Sequence, residues 1–311
     1  MGGAAALAGA AALAAITYAI IVLPGAGVRS PGFAAAAALA VASSAVFAVT
    51  ERRASRPMLP PAIFVSARFR AANAVTFVVN GALGGFAFVF IPALEIVAGY
   101  SPVAAGSALV PVTIVTMLLS GPSGRLAQRT GPRLPLVAGC LVCAGASMLA
   151  VRIGSHTGYW TVVFPVAVLF GLGLASLIPP LTATAMNSAP DSLAGLASGV
   201  NNAVARVAGL LWIAALPPLT GLTGAAYTDP LQFRSSFGQI SLICAAAFAC
   251  AAVLAATFII GPPRSTPARR PTLDWTPVPH PACPIAFSHA PGQTAGQIPA
   301  RRAAASPRDG S

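Results

Sequence analysis

The chain has 311 residues, of which 56% are hydrophobic and 8% are charged, and its mean hydropathy is +0.80. This composition excludes an ordinary soluble globular protein of that length and indicates an integral membrane protein. A net charge of +12 would suggest a nucleic-acid ligand in a soluble protein, but the basic residues fall mostly between or after apolar segments, so we expect topology signals and no nucleic-acid partner.

Eight apolar segments are long enough to cross about 30 Å of hydrocarbon as helices. The predicted spans are 3–23, 32–50, 69–94, 103–122, 133–153, 159–183, 194–219 and 236–260. Turn or charge signals separate them, such as "PGAGVRSPG", "GYSP", "QRTGPR" and "AAYTDP". We therefore expect an all-α integral membrane fold with about eight transmembrane helices embedded in the lipid bilayer.

Arginine placement predicts the orientation of these spans. The second and fourth connections carry or are flanked by Arg52, Arg53, Arg56, Arg68, Arg70, Arg125, Arg129 and Arg133, whereas the alternate connections hold only Arg29, Arg152 and Arg234. Because positively charged loops stay in the cytoplasm, we expect a multi-pass protein of the cell membrane with both termini cytoplasmic. Residues 261–311 are rich in Pro, Arg, Ser and Thr without apolar periodicity, which predicts a disordered cytoplasmic tail.

Residues that could support catalysis or hold a metal are few and poorly placed. Cys140 and Cys143 are spaced like a ligand pair but lie inside an apolar run, where two small packing side chains are the simpler interpretation. His156 is the only histidine outside the tail. We therefore expect no enzyme activity, no metal and no cofactor.

The stretch "GPSGRLAQRTGPRLPL", residues 121–136, concentrates three arginines in a chain that has few charges. Its glycine spacing resembles the loop signature G-x-L-A-D-R-x-G-x-R of the major facilitator superfamily. The matching residues here are Gly124, Arg125, Leu126, Gln128, Arg129, Gly131 and Arg133. We expect Gly124 to permit close helix approach and Gly131 to allow a tight reversal, while the arginines can reach helix-end carbonyls, acidic partners or anionic headgroups. Gln128 stands where the family has Asp, so an ionic latch should be weaker here.

A resemblance that extends over more of the chain indicates one branch of that superfamily. "ERRASRPMLPPAIF", "FRAANAVTF" and "GLASGVNNAVARVAG" are similar, in order, to segments of the fourteen-helix drug:proton antiporters. The resemblance implies two accessory helices in 1–50, a cytoplasmic linker in 51–68 and the C-terminal six-helix bundle in 69–260. It also implies that the N-terminal half of such a transporter is missing.

The function implied by the resemblance is drug or multidrug efflux by the C-terminal part of a transporter. Its partners would be a small amphipathic or cationic substrate, protons and a missing N-terminal half. The alternative is a non-transporting membrane subunit, or a half-transporter that works only as an oligomer. None of the acidic residues lies at the centre of a predicted span, so no complete proton relay is visible in the sequence.

Polar residues within the predicted spans are candidates for the lining of a substrate cavity. Asn73, Phe77 and Asn80 share one face of the third span. The seventh span carries Asn201, Asn202 and Arg206, and its arginine lies one position later than in the related transporters. Two interpretations stay open: a cavity lining that meets substrate, and a polar cluster that packs helices together.

Small residues predict where helices approach each other closely. The glycines expected at such contacts are Gly84, Gly85, Gly171, Gly173, Gly195 and Gly199.

Overall fold

A computed structural model describes residues 2–27, 29–54, 61–189 and 193–259. All regular structure in these ranges is helical. The predicted tail, 261–311, lies outside the described residues, and so do positions 55–60 of the predicted linker.

Nine α-helices occur in the described ranges. They are α1 (Gly2–Ala26), α2 (Pro31–Arg53), α3 (Ala67–Ile96), α4 (Pro102–Ser107), α5 (Val110–Thr130), α6 (Arg133–Ala150), α7 (Phe164–Asn187), α8 (Ala194–Leu219) and α9 (Pro230–Phe258). Short 3₁₀ turns precede α3 and α9, and a π-helical turn, Tyr159–Val163, leads into α7. With α4 and α5 taken as one span, eight segments are long and apolar enough to cross a membrane, which confirms the predicted all-α membrane fold.

Several of the turn signals between the predicted spans contain the first residues of a helix. Ser30, Ser101 and Asp229 each precede a proline that opens a helix, and their side-chain oxygens accept backbone N–H groups of the first turn. An N-cap oxygen followed by proline fixes a helix start, because proline lacks the N–H that would otherwise need a partner. For this reason α9 begins six residues earlier than the apolar pattern of its span predicts.

The first two helices form an antiparallel hairpin, and α1 also contacts α8. Its buried positions are alanines and one serine: Ala12, Ala15 and Ala19 on α1, and Ala36, Ala40 and Ser43 on α2. Side chains of this size let the helix backbones approach closely. A larger side chain also packs across the hairpin, since a methyl group added at Gly9 of α1 would lie 3.5 Å from the ring of Phe47 on α2.

The remaining helices form a bundle in which α3 packs on α8 and α9, α7 packs on α5 and α6, and α6 packs on α9. Aromatic side chains occupy its centre. The ring of Phe86 on α3 lies 4.6 Å from that of Phe170 on α7 and 6.2 Å from that of Phe237 on α9, measured between centroids. These contacts join three helices that are distant in sequence.

Glycines account for a close approach in the bundle, between α6 and α7. A methyl group added at Gly173 would lie 2.4 Å from Sγ of Cys143 and 2.9 Å from the carbonyl oxygen of Gly139. Gly171 is similarly crowded by Val115 of α5. The close approach expected at Gly171 and Gly173 is therefore confirmed.

The described helices provide no such contact for Gly195 and Gly199 on α8, where an added methyl group would meet no atom within 4 Å. Both glycines lie on a face of α8 that no described helix covers. A glycine in an apolar helix therefore marks a close contact only where a neighbouring helix lies opposite it.

Candidate functional site

The interface between α3 and α8 contains most of the polar groups that the sequence singles out. Glycines of α3 make this interface close. A methyl group at Gly81 would lie 2.4 Å from Nε1 of Trp212, and one at Gly84 would lie 3.0 Å from Cα of Gly209. Gly85 is crowded in the same way by the side chain of Leu216, so the contact expected at Gly84 and Gly85 is confirmed.

One hydrogen bond crosses this interface at a buried position. The hydroxyl of Thr76 donates to Oδ1 of Asn201 over 2.8 Å. Thr76 is 1% exposed and Asn201 is 8% exposed, so both groups are shielded from water. Such a bond fixes the rotation of α8 about its axis relative to α3, because neither polar group has water as an alternative partner.

The other asparagines of α3 bond within their own helix. Nδ2 of Asn73 donates to the carbonyl oxygen of Phe69, and Nδ2 of Asn80 donates to that of Thr76, each over 2.9 Å. Asn73 is buried, and its Oδ1 has no hydrogen-bond donor among the described residues. Phe77 and Asn80 are half-buried.

Asn202 and Arg206 lie on a different face of the protein from Asn201. Both side chains are exposed, and neither has a hydrogen bond or ion pair with another described residue. Adjacent helix positions differ by about 100° in direction, which is why Asn201 meets α3 while Asn202 does not. The candidate residues therefore do not form one cluster: Asn201 is bonded to α3, Asn73 and Asn80 are bonded within α3, and Asn202 and Arg206 form an uncovered polar pair on α8.

Two spans of the bundle leave most of their residues uncovered. Within an 18-residue apolar stretch of each span, only 11% of the residues are buried in α4–α5 and 22% in α8, against 50% in each of α3, α6, α9 and the span that contains α7. The corresponding share is 17% in both α1 and α2, which form the hairpin outside the bundle. The uncovered face of α5 includes Ile114, Met117 and Leu118, and that of α8 includes Leu210 together with Asn202 and Arg206. Lipid is a poor neighbour for an arginine and an asparagine, so the face of α8 is chemically suited to a cavity or a protein partner.

A cavity of about 170 Å³ lies between α3, α5 and α7. Its lining is almost entirely apolar, with Thr113 as the one residue that carries a polar side chain. The lining residues are Leu83, Phe86, Ala87, Phe90, Leu109, Val112, Thr113, Val166, Ala167, Phe170 and Leu174. A dry apolar cavity of about 150 Å³ holds a benzene ring, so this one has room for a single aromatic ring or a short branched alkyl group.

The sequence alone did not identify Thr76 or the residues of this cavity. Thr76 lies three positions after Asn73 and four before Asn80, so helical periodicity could have placed it on the same face. Phe86, Phe90 and Phe170 gave no comparable signal, because an aromatic residue in an apolar helix looks the same whether it lines a cavity or fills the core.

The arginine-rich stretch is more helical than expected. Helix α5 continues to Thr130 and α6 begins at Arg133, so only Gly131 and Pro132 form the connection. The tight reversal predicted at Gly131 is confirmed, since its φ is 87°. The packing role expected of Gly124 is wrong: an added methyl group there would lie 4.0 Å from Cβ of Pro179, an ordinary contact distance.

Four side chains of this stretch, Arg125, Gln128, Arg129 and Arg133, are exposed, and Leu126 is 51% exposed. Arg, Gln, Leu and Ala favour helix, which explains why the helix persists beyond the apolar part of its span. The arginines therefore project from a rigid hairpin and not from a flexible loop.

The described residues contain no group of three or more His, Cys, Asp or Glu side chains that could hold a metal ion. Of the acidic residues, Glu51, Glu95 and Asp229 are described, and all three lie at helix ends. Away from the helix ends, the hydrogen-bonding side chains of the described spans are mainly amides and hydroxyls, together with the guanidinium of Arg206.

Comparison with known protein families gives a match that covers most of the chain. The sequence model of a family described as "Major Facilitator Superfamily" matches residues 1–213, which is more than half of the chain.

Three curated relatives are each named for drug resistance or export. The "Methylenomycin A resistance protein" of Streptomyces coelicolor is 32% identical over 205 residues, covering 66% of this chain and 43% of the relative. The "Tetracenomycin C resistance and export protein" of Streptomyces glaucescens is 35% identical over 190 residues, or 60% and 34% of the two chains. The "Multidrug resistance protein Stp" of Mycobacterium tuberculosis is 29% identical over 220 residues, or 70% and 40%. The match spans less than half the length of each of these relatives.

Proposed function

Because this chain belongs to the Major Facilitator Superfamily, we propose that it provides the C-terminal six-helix bundle, residues 69–260, of a drug-efflux transporter. Residues 1–50 would be its accessory hairpin and 51–68 the linker between the two. The names of the relatives support a small-molecule drug as the transported substrate. The proposed localisation is the cell membrane, with both termini in the cytoplasm, as the placement of the arginines predicts.

The observation that carries the proposal is the uncovered surface of α5 and α8. These two spans are far less buried than α3, α6, α7 and α9, and the uncovered face of α8 bears Asn202 and Arg206. An arginine in a span is costly against lipid, so a second helical bundle or a water-filled cavity is the favourable neighbour. We propose that a complementary six-helix bundle covers this face and that substrate passes between the two bundles.

The apolar cavity supports an amphipathic substrate. Phe86, Phe90 and Phe170 offer ring faces for an apolar group, and Thr113 offers one hydroxyl. Arg206 would repel a cationic group, and the described spans hold no carboxylate at mid-membrane to attract one. In this proposal the chain binds the apolar part of the substrate, and a cationic part would contact the complementary bundle.

Proton coupling would also depend on that second bundle. The described carboxylates, Glu51, Glu95 and Asp229, lie at helix ends and not at mid-membrane, where relatives of this kind of transporter would couple substrate to protons. A titrating group in the complementary bundle would supply the coupling.

The proposed function is tested by measuring transport when this chain is combined with the N-terminal half of a related transporter. The chain is expressed in an efflux-deficient host, alone or together with the N-terminal six helices of a close relative, and ethidium accumulation is measured with and without an uncoupler. We expect no export from the chain alone and uncoupler-sensitive export from the pair. Within the pair, Arg206→Gln should change ethidium export, because it removes the charge on the face that the complementary bundle covers, while Arg152→Gln, at an exposed arginine between α6 and α7, should not.

Uncoupler-sensitive export by the chain alone, verified as full length and free of an endogenous partner, would contradict the need for a complementary bundle. That result would favour the alternative, a half-transporter that assembles a pathway from identical copies. Export by neither arrangement, with both polypeptides present in the membrane, would favour a non-transporting subunit.

A further inference from the structure

We propose that the apolar cavity between α3, α5 and α7 takes an uncharged aromatic ring that carries an oxygen substituent, and that the hydroxyl of Thr113 recognises this oxygen. The ring would lie inside the cavity and the oxygen at its mouth. This inference rests on the proposed function for the role of the ligand as a substrate. Binding itself requires no complementary bundle, because all the lining residues lie between Leu83 and Leu174 of this chain.

Three phenylalanines form the inner wall of the cavity. Phe86, Phe90 and Phe170 line it and are 4%, 1% and 4% exposed. The ring of Phe86 lies 5.2 Å from that of Phe90 and 4.6 Å from that of Phe170, with angles of 28° and 34° between the ring planes. Aromatic rings attract one another in offset or tilted arrangements at such separations, so a ligand ring is a better occupant here than an alkyl group of equal size.

The mouth of the cavity is identified by the lining residues that are exposed. Ala87 of α3 and Thr113 of α5 are exposed, whereas the lining residues of α7 are buried. The cavity is therefore apolar inside and carries one hydroxyl at its entrance. None of its lining residues is charged, and an ionised group inside would lose its water without gaining a partner. The part of the ligand that enters must be uncharged.

The hydroxyl of Thr113 is free to bond to a ligand. A threonine within a helix can donate its hydroxyl to the carbonyl oxygen four residues earlier. Thr113 makes neither this bond nor any other side-chain hydrogen bond with a described residue. The bond to the carbonyl oxygen four residues earlier is made by Thr17, Thr50, Thr130, Thr184, Thr220 and Thr257.

A free hydroxyl at the entrance of an aromatic cavity selects for oxygen on the ligand. A hydroxyl both donates and accepts, so it can pair with a phenol, an aryl ether or an aryl ketone. A methyl group at the same position of the ring would leave the hydroxyl unpaired. We therefore expect Thr113 to determine specificity between rings of the same shape, while the phenylalanines supply binding that both kinds of ring share.

The test uses the full chain in nanodiscs and two probes of nearly equal shape, 4-fluorophenol and 4-fluorotoluene. Binding is followed by the broadening of the fluorine NMR signal, with empty nanodiscs of the same lipid as the blank. Thr113→Val keeps the shape of the side chain and should weaken 4-fluorophenol binding by about threefold to tenfold without affecting 4-fluorotoluene. Thr113→Ser should retain the parent's preference for the phenol.

The matched control is Thr182→Val. Thr182 is an exposed threonine of α7 whose hydroxyl also has no described partner, but it does not line the cavity. This variant should bind both probes as the parent does.

A second pair of variants tests whether the probes occupy this cavity. Ala87→Phe places a ring at the exposed mouth and should lower the binding of both probes. Its control is Ala183→Phe, at an exposed position of α7 that lies outside the lining, and it should bind both probes as the parent does.

Three results would overturn the inference. Equal binding of 4-fluorophenol to the parent and to Thr113→Val would show that the hydroxyl does not recognise the oxygen. Equal losses of both probes in Thr113→Val would show a change in the shape of the cavity instead. Binding that Ala87→Phe leaves unchanged, or that does not exceed the blank, would show that the cavity is not the site.

These results are independent of the transport assay. Export by the chain combined with an N-terminal half, without binding of either probe, would refute the aromatic site and leave the proposed function standing. Selective phenol binding without export would support the site and count against the transport function.

Discussion

Gly139 and Gly173 bring the backbones of α6 and α7 into contact, and Gly139→Ala should force these two helices apart. A methyl group at residue 139 would lie 2.7 Å from the carbonyl oxygen of Gly173 and 2.9 Å from both N and Cβ of Leu177. Two of these three atoms belong to the backbone of α7. No side-chain rotation can relieve the clash, so a helix has to shift.

The magnitude follows from comparison with a second glycine on the same helix. Gly145 is exposed, and a methyl group there would meet no atom within 4 Å. Both substitutions gain the helix propensity of alanine, about 1 kcal/mol. Only Gly139→Ala incurs the overpacking cost, about 1–3 kcal/mol, so the free energies of unfolding of the two variants should differ by that amount.

Native cysteines provide the assay. Cys140, Cys143 and Cys244 are buried, whereas Cys250 is exposed. After accessible thiols are blocked in the folded protein, a thiol-reactive fluorophore reports the buried ones as the protein unfolds in detergent. We expect Gly139→Ala to unfold at a lower denaturant concentration than the parent and Gly145→Ala at an equal or higher one. Equal midpoints for the two variants would refute the claim that backbone contact limits the distance between α6 and α7.

Three further predictions concern the connection, the interface and the orientation. Gly131→Val should lower the free energy of unfolding by about 1 kcal/mol or more, because a φ of 87° is unfavourable for valine. Thr130→Ser keeps the hydroxyl bond to the carbonyl oxygen of Leu126 and should change little. Equal melting temperatures of the two variants in detergent would show that the turn does not require glycine. A double-mutant cycle of Thr76→Val and Asn201→Leu, followed by thermal or denaturant unfolding, measures the hydrogen bond between α3 and α8. Its coupling energy should be about 0.6 kcal/mol, and at most about 1.7 kcal/mol. If the effects of the two substitutions on the free energy of unfolding are additive, the 2.8 Å hydrogen bond contributes nothing to stability. With both termini in the cytoplasm, Thr228→Cys should react with an impermeant thiol reagent on intact cells and Gln128→Cys should not, and the reverse labelling would invert the orientation.

The sequence predicted the spans well because the length and polarity of a segment are local properties. Eight apolar segments were expected and eight occur, and the turn at Gly131 was expected from a glycine between two helices. Helix ends were less accurate. Helix α5 extends to Thr130 because helix-forming polar residues continue it beyond the apolar part, and hydropathy does not detect that continuation.

Residue type and spacing determined which side chains were candidates, but tertiary structure decided what each of them contacts. Asn201 and Asn202 are adjacent and chemically identical, yet one bonds to Thr76 of α3 and the other is exposed. Gly84 and Gly195 are both glycines in apolar helices, yet only Gly84 has a neighbouring backbone. The physical reason is that helical periodicity fixes the direction of a side chain relative to its own helix axis. The rotation of that axis, and the helix that lies across from it, depend on packing between segments distant in sequence.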